Sequence, residues 1–189
     1  MTLVLLRHAE TEWSANGRHT GRTDIPLLDS GRETARTLRE PLAQSTFARV
    51  LTSPLSRASE TAALAGFPDA EHEDGLLEWD YGEDEGLTTP QIRDRRPDWS
   101  LWRDGCPGGE SPDDVAARCD AVIEAVSGIE GDVLLVSHGH VLRILAARWV
   151  AQPPAFGARL RLETGTLSTL GHERETRVIL TWSAPAPRA

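Results

Sequence analysis

The chain has 189 residues, enough to bury one sizeable core, and a single domain over 1–189 is the expected organisation. A net charge of −9 leaves no basic stripe of the kind nucleic acid requires, so no nucleic-acid partner is expected. No apolar run approaches the roughly 20 residues of a membrane helix, and neither a basic leader nor an apolar signal region precedes the first strand; a cytoplasmic protein without a membrane partner is expected.

Leu3-Val4-Leu5-Leu6 is a short apolar run of the kind found in a strand covered on both faces, and it ends on Arg7-His8. Ser30 caps a predicted helix reaching about Gln44. Arg49 to Thr52 forms a second strand, followed by a helix from about Leu55 that Gly66 ends, with Arg57 in its first turn. Arg93, Arg95 and Arg96 read as a solvated helix face, and Glu83, Asp84 and Glu85 as solvated loop carboxylates. Ser111-Pro112-Asp113-Asp114 is a strong helix start, and Val115, Cys119, Val122, Ile123 and Val126 then share one apolar stripe. Val133 to Val136 repeats the buried-strand pattern and runs into Ser137-His138-Gly139-His140. The next helix, Val141 to Val150, turns Leu142, Leu145, Ala146 and Trp149 inward. Short strands near 158–163 and 166–171 and a last one from Arg177 to Trp182 complete the sheet, and the Pro-Ala-Pro-Arg-Ala tail is expected to fray. Strands joined through helices imply an α/β fold, a three-layer α/β/α sandwich with a mainly parallel sheet and helices on both faces. Cys106 and Cys119 lack metal-site spacing and read as reduced, structural thiols.

Ligands of such sheets gather beyond the carboxyl ends of the strands. Three strand ends here offer two histidines, His8 and His138, and two arginines, Arg7 and Arg57. Imidazole and guanidinium groups converging on one edge suit a small phosphorylated metabolite.

These residues carry a family resemblance. LRHAETEW at 6–13, GRHTGRTDIPL at 17–27, TSPLSRASETA at 52–62, LLEWDYGEDEGLT at 76–88 and VSHGH at 136–140 stand in order over most of the chain. The sequence resembles the histidine phosphatase superfamily, the phosphoglycerate-mutase-like group. The EWDYG block and LWRDGCPGGES at 101–111 are most similar to its acid phosphatase and sugar-bisphosphatase branches.

The resemblance implies a phosphoric monoester hydrolase that needs no metal or other cofactor. His8 would be the nucleophile that forms a phosphohistidine. Arg7, Arg57 and a protonated His138 would hold the transferring phosphoryl, and Glu78 would act first as acid and then as base. Trp79 and Tyr81 would wall Glu78 from solvent. Thr20 and Gly21 match a loop that touches substrate oxygens, and Ser14, Tyr81 and Gly139 join them as expected substrate contacts. Ser14 stands where mutases usually carry asparagine. The chain also lacks the longer insertion and shielding tail of mutases, which favours hydrolysis. Trp99, Trp102 and Cys106 are expected at the pocket mouth, and a homodimer can form through an edge strand or an exposed helix.

Other readings are a phosphoglycerate mutase and a non-catalytic phospho-ligand binding protein. A zinc hydrolase using His8, His138, His140 and a carboxylate is disfavoured because two flanking arginines repel a metal and short spacings such as HExxH are absent.

Overall fold

The computed structural model describes residues 1–185, so all but the first residue of the tail expected to fray lies outside the described residues. Strand β1 (Leu3–Arg7) leads through the short helix α1 (Glu12–Asn16) to α2 (Asp29–Thr37) and α3 (Arg39–Ala43). Then come β2 (Phe47–Thr52), α4 (Ser56–Leu64) and the two-residue β3 (Glu71–His72). Helices α5 (Thr89–Arg95), α6 (Leu101–Asp104) and α7 (Pro112–Ser127) precede β4 (Asp132–Ser137) and α8 (Gly139–Trp149). The hairpin of β5 (Leu167–Glu173) and β6 (Thr176–Ala184) comes last.

The six strands lie in the order β3-β2-β4-β1-β5-β6. β1 and β2 flank β4 in parallel and β3 extends that side in parallel, while β5 and β6 run antiparallel. Alternation along the strands sorts the core into two layers. Leu3, Leu5, Leu51, Val133 and Leu135 face the stripe of α7 and the inner side of α8. Leu6, Leu134 and Val136 face Leu38, Leu42, Ala58 and Ala62 on the other side. The sheet is therefore covered by helices on both faces, as its apolar strands require.

The start of α7 forms as its sequence dictates. Ser111 Oγ accepts from the Asp114 amide at 3.2 Å and the Asp114 carboxylate accepts from the Ser111 amide at 2.9 Å, a reciprocal cap. All five residues of the predicted stripe are buried.

Two expected elements differ. The helix predicted from 30 to 44 is broken at Leu38, because Pro41 has no N–H to donate to the carbonyl of Thr37. The strand expected at 158–163 is instead a 3-10 turn, Pro154–Arg159, followed by irregular chain. Side chains occupy its carbonyls in place of a ladder: Arg143 donates to Gly157 and Ala158, Trp182 to Arg161, and Arg7 to Leu162.

Two groups of charges expected to be solvated are also tied down. Arg96 leaves the solvated face and pairs with the buried Asp84. The Glu85 carboxylate accepts from the amides of Gly21 and Thr23. Cys106 and Cys119 are free and buried, and burial pushes the Cys119 thiol up to about 12.

Candidate active site

The ends of β1, β2 and β4 are laced together by the backbone. The His8 amide donates to the Ser137 carbonyl at 2.8 Å and the Ser53 amide to the Val136 carbonyl at 2.9 Å. Residues just past each strand are thus fixed at one sheet edge, where a cleft of about 200 Å³ opens. Arg7, His8, Glu78 and Gly139 line its floor.

His8 is 5% exposed. Its Nδ1 lies 2.7 Å from the carbonyl of Ala9, an atom that can only accept, so Nδ1 carries the proton and Nε2 keeps a lone pair. Burial, reinforced by Arg7 and Arg57, holds the His8 pKa well below the usual histidine value, so the imidazole is neutral. Arg7 donates from Nη1 to the Leu162 carbonyl at 2.5 Å, but its buried Nε has no partner. An unpaired buried N–H is costly and calls for an acceptor. Gly139 lies against the same guanidinium: a Cβ there would sit 3.2 Å from Arg7 Cζ.

The Glu78 carboxylate sits at the N-terminus of α8. Oε1 accepts from the amides of Trp79 (2.9 Å) and Val141 (3.0 Å), and Oε2 accepts from the amide of His140 (3.0 Å). These donors and the helix dipole orient it without hiding it, since it still lines the cleft.

His138 and Arg57 are fully buried behind this floor and do not line the cleft. Arg57 Nε donates to His138 Nδ1 at 3.1 Å, so that nitrogen carries no proton and Nε2–H meets Ser53 Oγ at 2.8 Å. Burial and the charge of Arg57 keep the His138 pKa far below the ordinary value. The protonated His138 expected from the sequence is therefore a neutral imidazole here, with both nitrogens bonded. The ring still packs edge-on to His8, with centroids 5.1 Å apart.

The rest of the Arg57 fork holds the wall. Nη1 donates to the Thr23 carbonyl at 2.9 Å, and Nη2 donates to those of Thr20 (3.0 Å) and Gly21 (2.9 Å). With Glu85 on the amides, the turn at 20–23 is stapled through both kinds of backbone group. Thr20 lines the cleft with its hydroxyl bonded to the Arg18 carbonyl; Gly21 lies outside the lining and its amide is already taken by Glu85. Ser14 also lines the cleft, its hydroxyl engaged with Thr11 in the cap of α1. Tyr81 lines it with its hydroxyl 2.5 Å from His140 Nδ1.

The cleft also contains residues whose sequence context did not single them out: Gly17, Arg18, His19, Thr89, His140, Arg143 and Leu162. His19 stood inside a quoted motif without an assigned role, and His140 was named only as a ligand of the disfavoured zinc site. Arg143 follows His140 by three positions on α8, the spacing that shares a helix face, and this was the available signal. Trp99, Trp102 and Cys106 stand behind the lining rather than on it; Trp102 carries the Arg143 guanidinium 4.4 Å from its ring centroid. Among the described residues, no three His, Cys, Asp or Glu side chains gather in a way that could hold a metal ion.

A neutral nucleophile, an unpaired cationic donor and a carboxylate in one cleft can together handle a phosphoryl group. Comparison with known proteins agrees. The profile of the histidine phosphatase superfamily (branch 1) matches residues 3–185. An acid phosphatase of Mycobacterium tuberculosis is 46% identical over 179 residues, covering 93% of this chain and 88% of its own length. The sedoheptulose 1,7-bisphosphatase of Saccharomyces cerevisiae is 32% identical, covering 77% of this chain and 66% of its own length. Among solved structures, a Mycobacterium tuberculosis open-reading-frame product superposes with a TM-score of 0.94 at 41% identity, with 98% of each chain covered. The phosphatase names among these relatives support a phosphatase activity for this protein, and the chain belongs to the histidine phosphatase superfamily, branch 1.

Proposed function

We propose that this protein hydrolyses phosphomonoesters of small metabolites through a phosphohistidine on His8. The observation that carries this reading is the His8 tautomer: Nδ1–H is held by a backbone carbonyl, and the Nε2 lone pair is left for attack in a cleft that Arg7 also lines.

In the first step His8 Nε2 attacks phosphorus in line. The P–O bond to the alcohol breaks, and the departing oxygen takes a proton from Glu78. In the second step Glu78 removes a proton from water, the resulting hydroxide attacks phosphorus, and the P–N bond breaks. Phosphate leaves, His8 is again neutral and Glu78 is again protonated. Arg7, whose guanidinium lines the cleft, supplies a donor to the equatorial oxygens, where charge accumulates. Arg57 adds positive charge from behind and holds the wall. The neutral His138, bonded to Arg57 and Ser53, keeps that arginine in place.

The test combines phosphate release with trapping of the intermediate. With chelator present, wild type should release phosphate from p-nitrophenyl phosphate and from members of a sugar-phosphate panel. Rapid acid-free quenching with labelled substrate should leave one acid-labile, base-stable phosphoryl group on the protein. His8→Ala should lower turnover by on the order of 10⁴-fold or more, the scale seen when a nucleophile is removed. Retained turnover in His8→Ala, or an acid-stable label, would sink the mechanism.

A further inference from the structure

The mechanism above leaves one built feature of the cleft unused, the pair Tyr81 and His140. Tyr81 is 1% exposed and its hydroxyl lies 2.5 Å from His140 Nδ1. Burial and the nearby Glu78 carboxylate push the phenol pKa well above its usual value, so Tyr81 keeps its proton. Among the described residues that hydroxyl has no other hydrogen-bond acceptor, so it donates to Nδ1 and the His140 proton resides on Nε2. His140 Nε2 has no partner among the described residues. It is also absent from the buried polar atoms left unpaired, so this N–H opens into the cleft that His140 lines.

Its position is defined as well. The His140 amide donates to Glu78 Oε2, which sets the imidazole beside the carboxylate that serves the leaving oxygen. Burial together with Arg143, His19 and Arg7 keeps the ring uncharged. A neutral donor selects an oxygen by position and does not attract anions from a distance.

We propose that His140 is a specificity-determining residue: with Tyr81 as its positioning residue, it donates Nε2–H to a second oxygen on the alcohol, adjacent to the ester oxygen. This inference rests on the phosphatase reading above. The preferred substrate class is then phosphomonoesters of polyols, sugars or hydroxy acids, in preference to simple alkyl phosphates.

The experiment compares glycerol 1-phosphate with propyl phosphate, which lacks the neighbouring oxygens. It uses wild type, Tyr81→Phe, His140→Ala and the double variant, each checked for folding by circular dichroism. Wild type should favour glycerol 1-phosphate in kcat/KM, and His140→Ala should cut that preference by about five- to tenfold, the discrimination that one neutral hydrogen bond supplies. Tyr81→Phe should cut it part of the way and add nothing in the His140→Ala background, since it acts through His140. His140→Gln, which restores an N–H donor, should recover part of the preference.

An unchanged preference in both single variants, with both substrates still hydrolysed, would overturn the role of His140 and leave the phosphatase reading intact. Hydrolysis of neither substrate, nor of p-nitrophenyl phosphate, by wild type would overturn the reading itself. If His140→Ala does not fold, Tyr81→Phe carries the test, because it removes a single oxygen.

Discussion

The floor of the cleft and its wall are built by opposite means. The floor, Arg7 and His8, is an extension of a parallel strand, and it presents unsatisfied chemistry: a free lone pair and an unpaired N–H. The wall around residues 20–23 is irregular chain, yet five of its eight backbone N–H and C=O groups are satisfied by Arg57 or Glu85. Two arginines mark the contrast. Arg7 makes a single hydrogen bond to the protein and lines the cleft, whereas the N–H groups of Arg57 are engaged by four acceptors in the protein and do not reach it. Reactivity is placed on rigid strand ends, and the loop is made rigid by side chains that do not react.

The sharpest way to break this contrast is to exchange each arginine for lysine. Arg7→Lys loses the fork and should lower kcat by about 100- to 1,000-fold, the usual cost of losing a transition-state donor, with little change in melting temperature. Arg57→Lys should do the reverse in emphasis. Losing a buried network costs about 3–5 kcal/mol, which in a chain of this size lowers the melting temperature by roughly 10 °C. Equal thermal losses for the two variants, followed by scanning calorimetry, would erase the distinction.

Acid should also separate chemistry from stability. His8, His138 and His140 are held neutral in the fold, with pKa values below that of an unfolded histidine. As pH falls through about 6.5, the unfolded chain gains protons that the folded one refuses. Stability therefore declines below that point, by up to about 1.4 kcal/mol per pH unit for each such histidine. The nucleophile, by contrast, stays unprotonated, so kcat/KM should show no loss assignable to His8 between pH 6.5 and 5.5. His138→Asn should flatten the thermal stability profile over that range, and a profile unaltered by the substitution would refute the assignment.

The smallest effect concerns the wall's other staple. Glu85→Gln keeps the shape but weakens the charge-assisted bonds to the amides of Gly21 and Thr23. Km should rise about three- to tenfold with kcat nearly unchanged, in line with the loss of one charge-assisted contact. A fall in kcat without a rise in KM would mean that the loop serves the chemistry directly.

The same division governs what could be read from the sequence. Strand ends are legible because an apolar run stops abruptly on Arg7-His8 and again on Ser137-His138, and topology then brings the stops together. The two helical layers follow from the uninterrupted apolar run Leu3 to Leu6, which needs cover on both faces, and from the stripe of α7. The antiparallel pairing of β5 with β1 was less legible, since its direction depends on a partner distant in sequence, and 158–163 failed because side chains took its carbonyls. Arg143 and Arg18 received no role, because neither stands at a strand end. Asp84 and Arg96 looked solvated because an ion pair across 12 residues leaves no periodic signal. Nothing local in His138 states that Arg57, 81 positions away, holds its Nδ1 unprotonated.

The staple on residues 20–23 has a consequence for ligand discovery. The amides of Gly21 and Thr23 and the carbonyls of Thr20, Gly21 and Thr23 already have protein partners, so a ligand reaching the turn at Thr20 finds these groups taken. Polar substituents aimed at this turn will gain little affinity, while shape matching to it incurs no loop-ordering entropy. The amides of Gly21 and Thr23 should accordingly exchange hydrogen slowly even in the unliganded protein, an unusual property for a stretch without helix or strand.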